Sequence, residues 1–577
     1  MYLLRVNMSN LRTALEPLPE EYKLLGNRGL VAEILCREVP ARTNPLGAKN
    51  KLILAGGPLA GLGISSAARL SAGGKSPLTG GIKEANAGGI AVQRMTRLGI
   101  RAIIVEGQAE TGKIYLLYLK KDGVELLPAG ELKGLGTYDV AKKLRARYGK
   151  DIGVITIGPA GEMLMNLAGI FATDSEGQTS RACARGGLGA VMGSKGLKAI
   201  VIANDGDYRV PVHDEEAFKK ARKEFIKVLM TTPQTSEIYT NYGTASALAP
   251  INKLGGLPTY NFRQGSFEKA EAIDGDALYD LIEKRNGAGK HSHACMNGCV
   301  IRCSNVVPDE EGNTLVSPLE YETLALLGSN LGIADLDAIA SLNKLCNDIG
   351  IDTIETGAAL GVAIEAGMAP FGDAQEIYRI IEEEIGQGTI LGRVLGQGTL
   401  ITGRVLGISR LPVVKGQAIA AHDPRAIKGM TITYAMSPMG GDHTAGVTLR
   451  APIDHHKPEG QMELSRNIQV IVAAHDSLGF CMFVIPAVGG KPEYVVNLIN
   501  AVYGTNFQPE WLMEYGKDVI KKERAFNLAA GFNEVHDRLP EMFLEEELPP
   551  HNLVSDLSEE DYRRYWDTEF WGEFPKL

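Results

Sequence analysis

Three cysteines, Cys295, Cys299 and Cys303, follow one another at a constant four-residue step in HACMNGCVIRCSN, and a fourth, Cys481, stands far downstream in DSLGFC. Three clustered thiolates and one remote thiolate form the ligand set of a cubane iron–sulfur cluster, in which each iron takes one soft anionic ligand. Such a cluster moves electrons one at a time, so the rest of the chain should hold a site that supplies them. Two other readings fit the same residues. A step of four places side chains on one helical face, where cysteines serve as small buried hydrophobes. His291 and His293 could also complete a structural zinc site. Cys36, Cys183 and Cys346 have no such grouping and read as structural.

A second group of residues suits phosphate. The chain has 68 glycines, concentrated in segments such as AGGPLAGLGISSAARL, EANAGG and RACARGGLGAVMGSKGLK. Loops of this kind expose backbone N–H groups that cradle anions, and Arg69, Arg181 and Arg185 lie within or beside them. Tight β-turns account for the same composition. No segment has the Walker pattern, and none has G-x-G-x-x-G at a strand–helix junction with a downstream acid, so an ordinary nucleotide fold is not expected.

A third signal is a turn that occurs twice. Asn347-Asp348-Ile349-Gly350-Ile351-Asp352 and Asp476-Ser477-Leu478-Gly479-Phe480-Cys481 share the form D/N-x-x-G-φ-D/C, with φ apolar. Glycine after a helical segment supplies a left-handed cap, and the flanking acids accept hydrogen bonds from ligand N–H groups. Two copies, the second ending in the remote cysteine, suggest two equivalent halves of one ligand.

The elements that position these residues divide the chain. Its 577 residues exceed what one core organises, and two to four domains are expected. Up to residue 206 the pattern is β-rich: KLILAG, RAIIVEG, KIYLLYLK, IGVITIG and KAIVIA read as strands. From 207 to 412 it becomes helical, beginning with DEEAFKKARKEFIKVLMTT, and a third, helical region spans 413–577. A local echo in 386–407 reads as two helix ends with glycine stops. The net charge of −9 argues against a nucleic-acid partner. No apolar run has the length of a membrane span, and the N-terminus lacks the form of a secretory signal. Seven cysteines do not resemble an extracellular disulfide framework, so a reducing cytoplasm is expected.

Taken in order, GGPLAGLGISSAARL, GKSPLTGG, ANAGG, ARGGLGAVMGSKGLKAI, the cysteine cluster, PLEYETLALLG, the two turns, DPRAIKGMTITYAMSPMGGDHTAG and RAFNLAAGFNEVHDRLP resemble the aldehyde:ferredoxin oxidoreductase family over essentially the whole chain. The resemblance implies an α+β fold: a β-rich N-terminal domain that binds pterin phosphates, two mainly helical domains, and the cofactor at their interface. It implies a tungsten (or molybdenum) bis-pterin group, a 4Fe–4S cluster on Cys295, Cys299, Cys303 and Cys481, and Mg2+ bridging the pterin phosphates. Asn86, within ANAGG beside Gly88, matches the side chain that bridges magnesium, and the backbone at Ala182 is expected to contribute a carbonyl. Arg69, Arg181 and Arg185, the last beside Gly186, match the phosphate-contacting arginines. Asn347, Gly350, Ile351 and Asp352 on one side, and Asp476, Gly479 and Phe480 on the other, match the two pterin-binding turns.

For aldehyde oxidation the resemblance implies an acid–base residue at Glu320 or Glu322, with Glu320 favoured by its offset from Cys303. The hydrogen-bond donor would be His443, with Tyr434 as a weaker second. The implied partners are an aldehyde or carboxylic acid and a ferredoxin or ferredoxin-like subunit, and homodimerisation is common in the family. Two features depart from the family pattern. The spacing here is C-x3-C-x3-C where two residues usually separate the first pair, an excess that a loop at Met296 to Gly298 would absorb. Asn347 stands where the family usually has Asp. An alternative within the family is the catalytic subunit of a low-potential aromatic acyl-CoA reductase, which is expected to lack the Glu and His pair. Outside it stands a zinc-stapled, non-catalytic scaffold.

Overall fold

The computed structural model describes residues 1–577. Its N-terminal third is built twice. The first sheet comprises β1 (Tyr2–Asn7), β2 (Arg12–Pro17), β3 (Leu52–Ala55), β4 (Leu70–Lys75), β5 (Ile82–Ala87) and β6 (Ile100–Glu106). The second comprises β7 (Tyr115–Lys120), β8 (Gly123–Pro128), β9 (Gly153–Thr156), β10 (Ile170–Ala172), β11 (Arg181–Cys183) and β12 (Leu197–Ile202). Their orders, β2-β1-β6-β3-β4-β5 and β11-β10-β9-β12-β7-β8, are the same topology read from opposite ends. In each, a hairpin pairs in parallel with the last strand (β1 with β6, β7 with β12), and all other pairings are antiparallel. Helices α1 (Asn27–Glu38) and α2 (Ala91–Arg97) in the first copy correspond to α3 (Thr137–Tyr148) and α4 (Leu188–Ser194) in the second. The local echo in 386–407 is therefore not the important repeat. The important one survives as Gly99-Ile100-Arg101-Ala102-Ile103-Ile104 against Gly196-Leu197-Lys198-Ala199-Ile200-Val201, where both glycines take φ of 74° to end the preceding helix.

The remainder is mainly helical. α5 (Glu215–Thr231) places Phe218, Ala221, Phe225 and Val228 on one buried face. The largest apolar core lies among α6 (Tyr321–Leu326), α7 (Leu336–Ile349), α8 (Thr353–Glu365) and their neighbours, and includes Leu324, Ile339, Leu360 and Phe543. α9 (Gly429–Met436), α10 (Gln461–Ser477) and α11 (Trp511–Ala530) pack together, and α1 lies between its own sheet and the pair α10 and α11. There, buried Arg28 donates to both oxygens of Glu523, at 2.8 and 2.9 Å, and reaches Asp476 at 3.4 Å. The aromatic tail folds back: Tyr565 and Trp571 are buried against Ile432 and Ile520. No single helix is long and apolar enough to cross a membrane.

A small sheet, β13 (Lys290–His293), β14 (Ser304–Pro308) and β15 (Thr314–Val316), carries the cysteine triplet in the loop between its first two strands. The four-residue step does not build a helix there. Gly298 and Arg302 take φ of 81° and 53°, which break any helical run.

Candidate active site

The two repeated turns end α7 and α10 and are received in the same way by the two sheets. Gly350 and Gly479 have φ of 84° and 85°, the left-handed conformation that glycine adopts without steric cost. A methyl group on Gly350 would stand 2.6 Å from the Gly158 nitrogen, beyond β9, and one on Gly479 would stand 2.9 Å from Gly57 Cα, beyond β3. The carbonyl of Gly350 accepts from Gly169 N–H at 3.0 Å, just before β10, and that of Gly479 accepts from Arg69 N–H at 3.3 Å, just before β4. Asp352 N–H donates to Leu167 O at 2.9 Å, and Cys481 N–H to Ser66 O at 2.8 Å.

Between the turns is a cavity of 380 Å³. Its walls include Asn86, Gly88, Arg181, Asn347, Asp476 and Cys481, together with Arg69, Ala182 and Arg185. The Arg69 guanidinium donates to the side-chain oxygen of Asn86 and, at 2.9 Å, to its carbonyl, and lies 3.8 Å from Cys481 Sγ. It makes no ion pair with a carboxylate, and Asp476 on the same cavity wall is the acid that acts on it from a distance. Arg181 donates to Ser304 Oγ at 2.7 Å and leaves its Nε buried without a partner. Arg185 is held by Asp352 at 3.2 Å and by the carbonyls of Gly441 and Ala418 at 2.9 and 2.6 Å. Gly186 beside it takes φ of 82°. Asn347 faces Tyr138, donating from Nδ2 to its hydroxyl at 3.3 Å. Ile351 pairs with Ala168, and Phe480 packs on Phe225 with ring centroids 5.3 Å apart.

All seven cysteines are free; Cys295, Cys303 and Cys481 line the cavity, and Cys299 stands by Ser66. Ser66 Oγ lies 3.3 Å from Cys299 Sγ, and a methyl group on Gly88 would stand 2.8 Å from Cys295 Sγ. Burial pushes the Cys295 thiol up to about 12 and that of Cys303 well above its ordinary value, and in each case neighbouring cysteines add to it. Clustered thiols, two of them buried and two partly buried, suit a bound multivalent cation, and the donor set fits an iron–sulfur cluster. The zinc alternative loses its histidines. His293 contacts Arg181 at 3.1 Å and Glu176 at 3.3 Å, and His291 lies 3.3 Å from Glu283.

The two glutamates of LEYET separate as i and i+2 must. Glu320, at the N-cap of α6, accepts from Thr244 Oγ1, and burial raises its pKa. Glu322, in the first turn, places Oε1 3.3 Å from His443 Nε2 and 3.2 Å from His422 Nε2, while Oε2 accepts from Ala421 N–H at 2.8 Å. Burial opposes its charge, but His443, His422 and that N–H outweigh burial and hold it down to about 2. Burial lowers the His443 pKa against the pull of Glu322 and Asp442. Asp442 caps the His443 turn by accepting from Thr444 N–H at 3.0 Å, and it pairs with buried Lys83 from β5. Tyr434 is engaged elsewhere: its hydroxyl donates toward the carbonyls of His422 and Ala420, at 3.2 and 3.3 Å, and it does not line the cavity. Lys83, Thr244, His422 and Asp442 carry no spacing signal. His422 directly precedes the DPRAIKG run, and only the fold brings it to Glu322.

A family model described as aldehyde ferredoxin oxidoreductase, N-terminal domain, matches residues 3–204, and one for domains 2 and 3 matches residues 220–573. The chain is 33% identical to the tungsten-containing aldehyde ferredoxin oxidoreductase of Pyrococcus furiosus, covering 100% of this chain and 96% of the relative. It is 34% identical to that of Thermococcus kodakarensis, covering 99% and 96%. A WOR-like subunit of an aliphatic sulfonate oxidoreductase from Pyrococcus furiosus is 28% identical over 88% of this chain and 82% of its own length. Among solved structures, the active site complex of benzoyl coenzyme A reductase with 1,5-dienoyl-CoA superposes with a TM-score of 0.81 at 19% identity, covering 98% of this chain and 93% of the other, and shows the shared fold.

Proposed function

Since this chain belongs to the aldehyde ferredoxin oxidoreductase family, we propose that it is a tungsten (or molybdenum) bis-pterin enzyme that oxidises an aldehyde with water to the carboxylic acid. Electrons would leave singly through one 4Fe–4S cluster to a ferredoxin or ferredoxin-like subunit. The observation that carries this reading is the Glu322–His443 pair, 3.3 Å apart, facing the same cavity that Cys295, Cys303 and Cys481 line. The boundaries near residues 206 and 412 are proposed as domain limits on the same basis.

Asn347, Gly350, Ile351 and Asp352 would hold one pterin, and Asp476, Gly479 and Phe480 the other. Arg69, Arg181 and Arg185 would neutralise their phosphates, and Asn86 and the carbonyl of Ala182 would bind the bridging magnesium. When bound, the metal–pterin group supplies a two-electron acceptor beside the substrate carbon. Glu322 rather than Glu320 is proposed as the base. It is the carboxylate held ionised beside an imidazole, whereas Glu320 is held by Thr244 with a raised pKa. Glu322 removes a proton as water adds to the carbonyl carbon, and His443 shares that proton and orients the carbonyl oxygen. The lining by Phe171, Val447, Leu449 and Phe483 keeps bulk water from the reacting carbon.

The test is metal analysis of protein purified without oxygen, followed by an aldehyde screen with a viologen acceptor. Tungsten or molybdenum together with iron, and aldehyde-dependent viologen reduction, support the reading. Full metal content with no aldehyde turnover, and turnover of an aromatic acyl-CoA instead, would overturn it in favour of ring reduction.

A further inference from the structure

Aldehyde oxidation releases two protons, and the pair described above accounts for one. Addition of water breaks an O–H bond as the C–O bond forms. Breaking the aldehyde C–H bond then releases the second proton and leaves two electrons, which the metal–pterin group would accept when bound: RCHO + H2O gives RCOOH, two protons and two electrons. One carboxylate with one imidazole holds a single extra proton near neutrality.

The cavity wall contains a second imbalance. Glu322 Oε1 faces two imidazoles, His443 Nε2 at 3.3 Å and His422 Nε2 at 3.2 Å, and one polar atom of each side chain lies within 4.8 Å of those of the other two. The rings of His422 and His443 have centroids 5.6 Å apart, and that of Tyr321 stands 5.3 Å from His422. His422 is only 4% exposed, yet it lines the cavity. Its Nδ1 and that of His443 are buried without hydrogen-bond partners, and Glu322 Oε1 lacks a well-aligned one. Three buried polar atoms left open around one cavity edge suit groups that exchange protons during turnover.

The other charged and titratable groups near His422 leave it free for that part. Asp423 and Arg425 are paired with each other at 2.7 Å. The Tyr434 hydroxyl is on the His422 carbonyl, and the Tyr321 hydroxyl is on the Ala421 carbonyl. Asp442 is paired with Lys83, and Arg185 with Asp352.

We propose that His422 is the second proton acceptor of this site, working through Glu322: His443 shares the first proton of each turnover and His422 takes the second. The proposal rests on the aldehyde-oxidising reading. Its mechanism is mutual: with Glu322 ionised between them, a proton on one imidazole opposes a proton on the other. Removing His422 removes one of the influences that lower the His443 pKa.

The experiment compares wild type with His422→Gln, which keeps a hydrogen-bonding group but carries no proton, in metal-loaded protein. Exchange of the histidine C2 hydrogen, read by peptide mass spectrometry across pH, reports the His443 midpoint independently of activity. That midpoint is expected to rise in the variant. The acid limb of the aldehyde pH–rate profile should rise with it, and kcat near neutral pH should fall on the order of 10-fold or more. His422→Phe keeps a ring against Tyr321 and should give the same shift if the Gln variant loses metal. An unmoved His443 midpoint with an unchanged pH profile, in a wild type that turns over aldehyde, overturns the proposal alone. A metal-loaded wild type that turns over no aldehyde overturns the aldehyde reading and this proposal with it.

Discussion

Glu322 and His443 come from separate segments, the first turn of α6 and the turn after Asp442, yet Oε1 and Nε2 meet at 3.3 Å on the cavity wall. Glu322→Gln keeps the shape of that contact and removes the charge that accepts a proton. Turnover should fall by about 10² to 10⁴ while tungsten and iron content stay at wild-type levels. Glu320→Gln, which retains an oxygen for Thr244, should cost less than about tenfold. Viologen assays on both variants at equal metal content make the check, and a fully active Glu322→Gln enzyme would sink the assignment of the base.

Cys299 occupies the loop between β13 and β14, beside Ser66. Cys299→Ala should lower iron from about four atoms per chain and remove the low-potential signal of a reduced cluster. Metal analysis and low-temperature EPR of dithionite-reduced protein read both quantities. Unchanged iron would remove Cys299 from the ligand set.

Gly350 combines a left-handed φ with contact against Gly158. Gly350→Ala incurs roughly 1–2 kcal/mol from backbone conformation alone. The 2.6 Å approach of the new methyl group to the Gly158 nitrogen adds to that cost. The melting temperature should drop and pterin content should fall with it. A variant with wild-type stability and full pterin content would show that the turn can shift without consequence.

Asp476 gives a pH dependence of stability. Burial, and then Glu84, push its carboxyl up to about 8, against the pull of Arg28 and Arg69. In the unfolded chain an aspartate titrates near 3.9, so its folded-state pKa is raised. The stability conferred by holding this proton is full below about pH 4 and is lost as pH rises through about 8. Asp476→Asn lacks this term, so the stability of wild type relative to the variant should fall over that window. Parallel thermal melts test it, and two curves of equal slope would show that Asp476 ionises normally.

Much of this arrangement was legible in residue order, and the remainder depended on contacts between distant segments. The strands KLILAG, RAIIVEG and KAIVIA follow from composition, as apolar runs buried on both faces, and the helix after Asp214 from period, because it buries one face. The two D/N-x-x-G turns were visible because a left-handed glycine after a helix is a local requirement. The doubled sheet was not visible, since topology can repeat while side chains diverge until little beyond Gly99 and Gly196 remains aligned. The cysteine step of four suggested a helical face, and two positive-φ residues, Gly298 and Arg302, turned it into a hairpin loop instead. LEYET contained both glutamates, and the offset from Cys303 favoured Glu320, whereas the contacts favour Glu322. The ranking depends on which carboxylate meets His443 and His422, contributed by segments about a hundred residues away.

The doubled frame is broken at one place. Where the first turn ends in Asp352, a helix cap and the partner of Arg185, the second ends in Cys481. A carboxylate on one side closes that half into a salt bridge, and a thiol on the other opens its half toward the three cysteines. On the proposed reading, two near-identical cradles would take unlike duties, one as anchor and one as outlet, and charge leaving the centre would have a single heading through an otherwise symmetric scaffold.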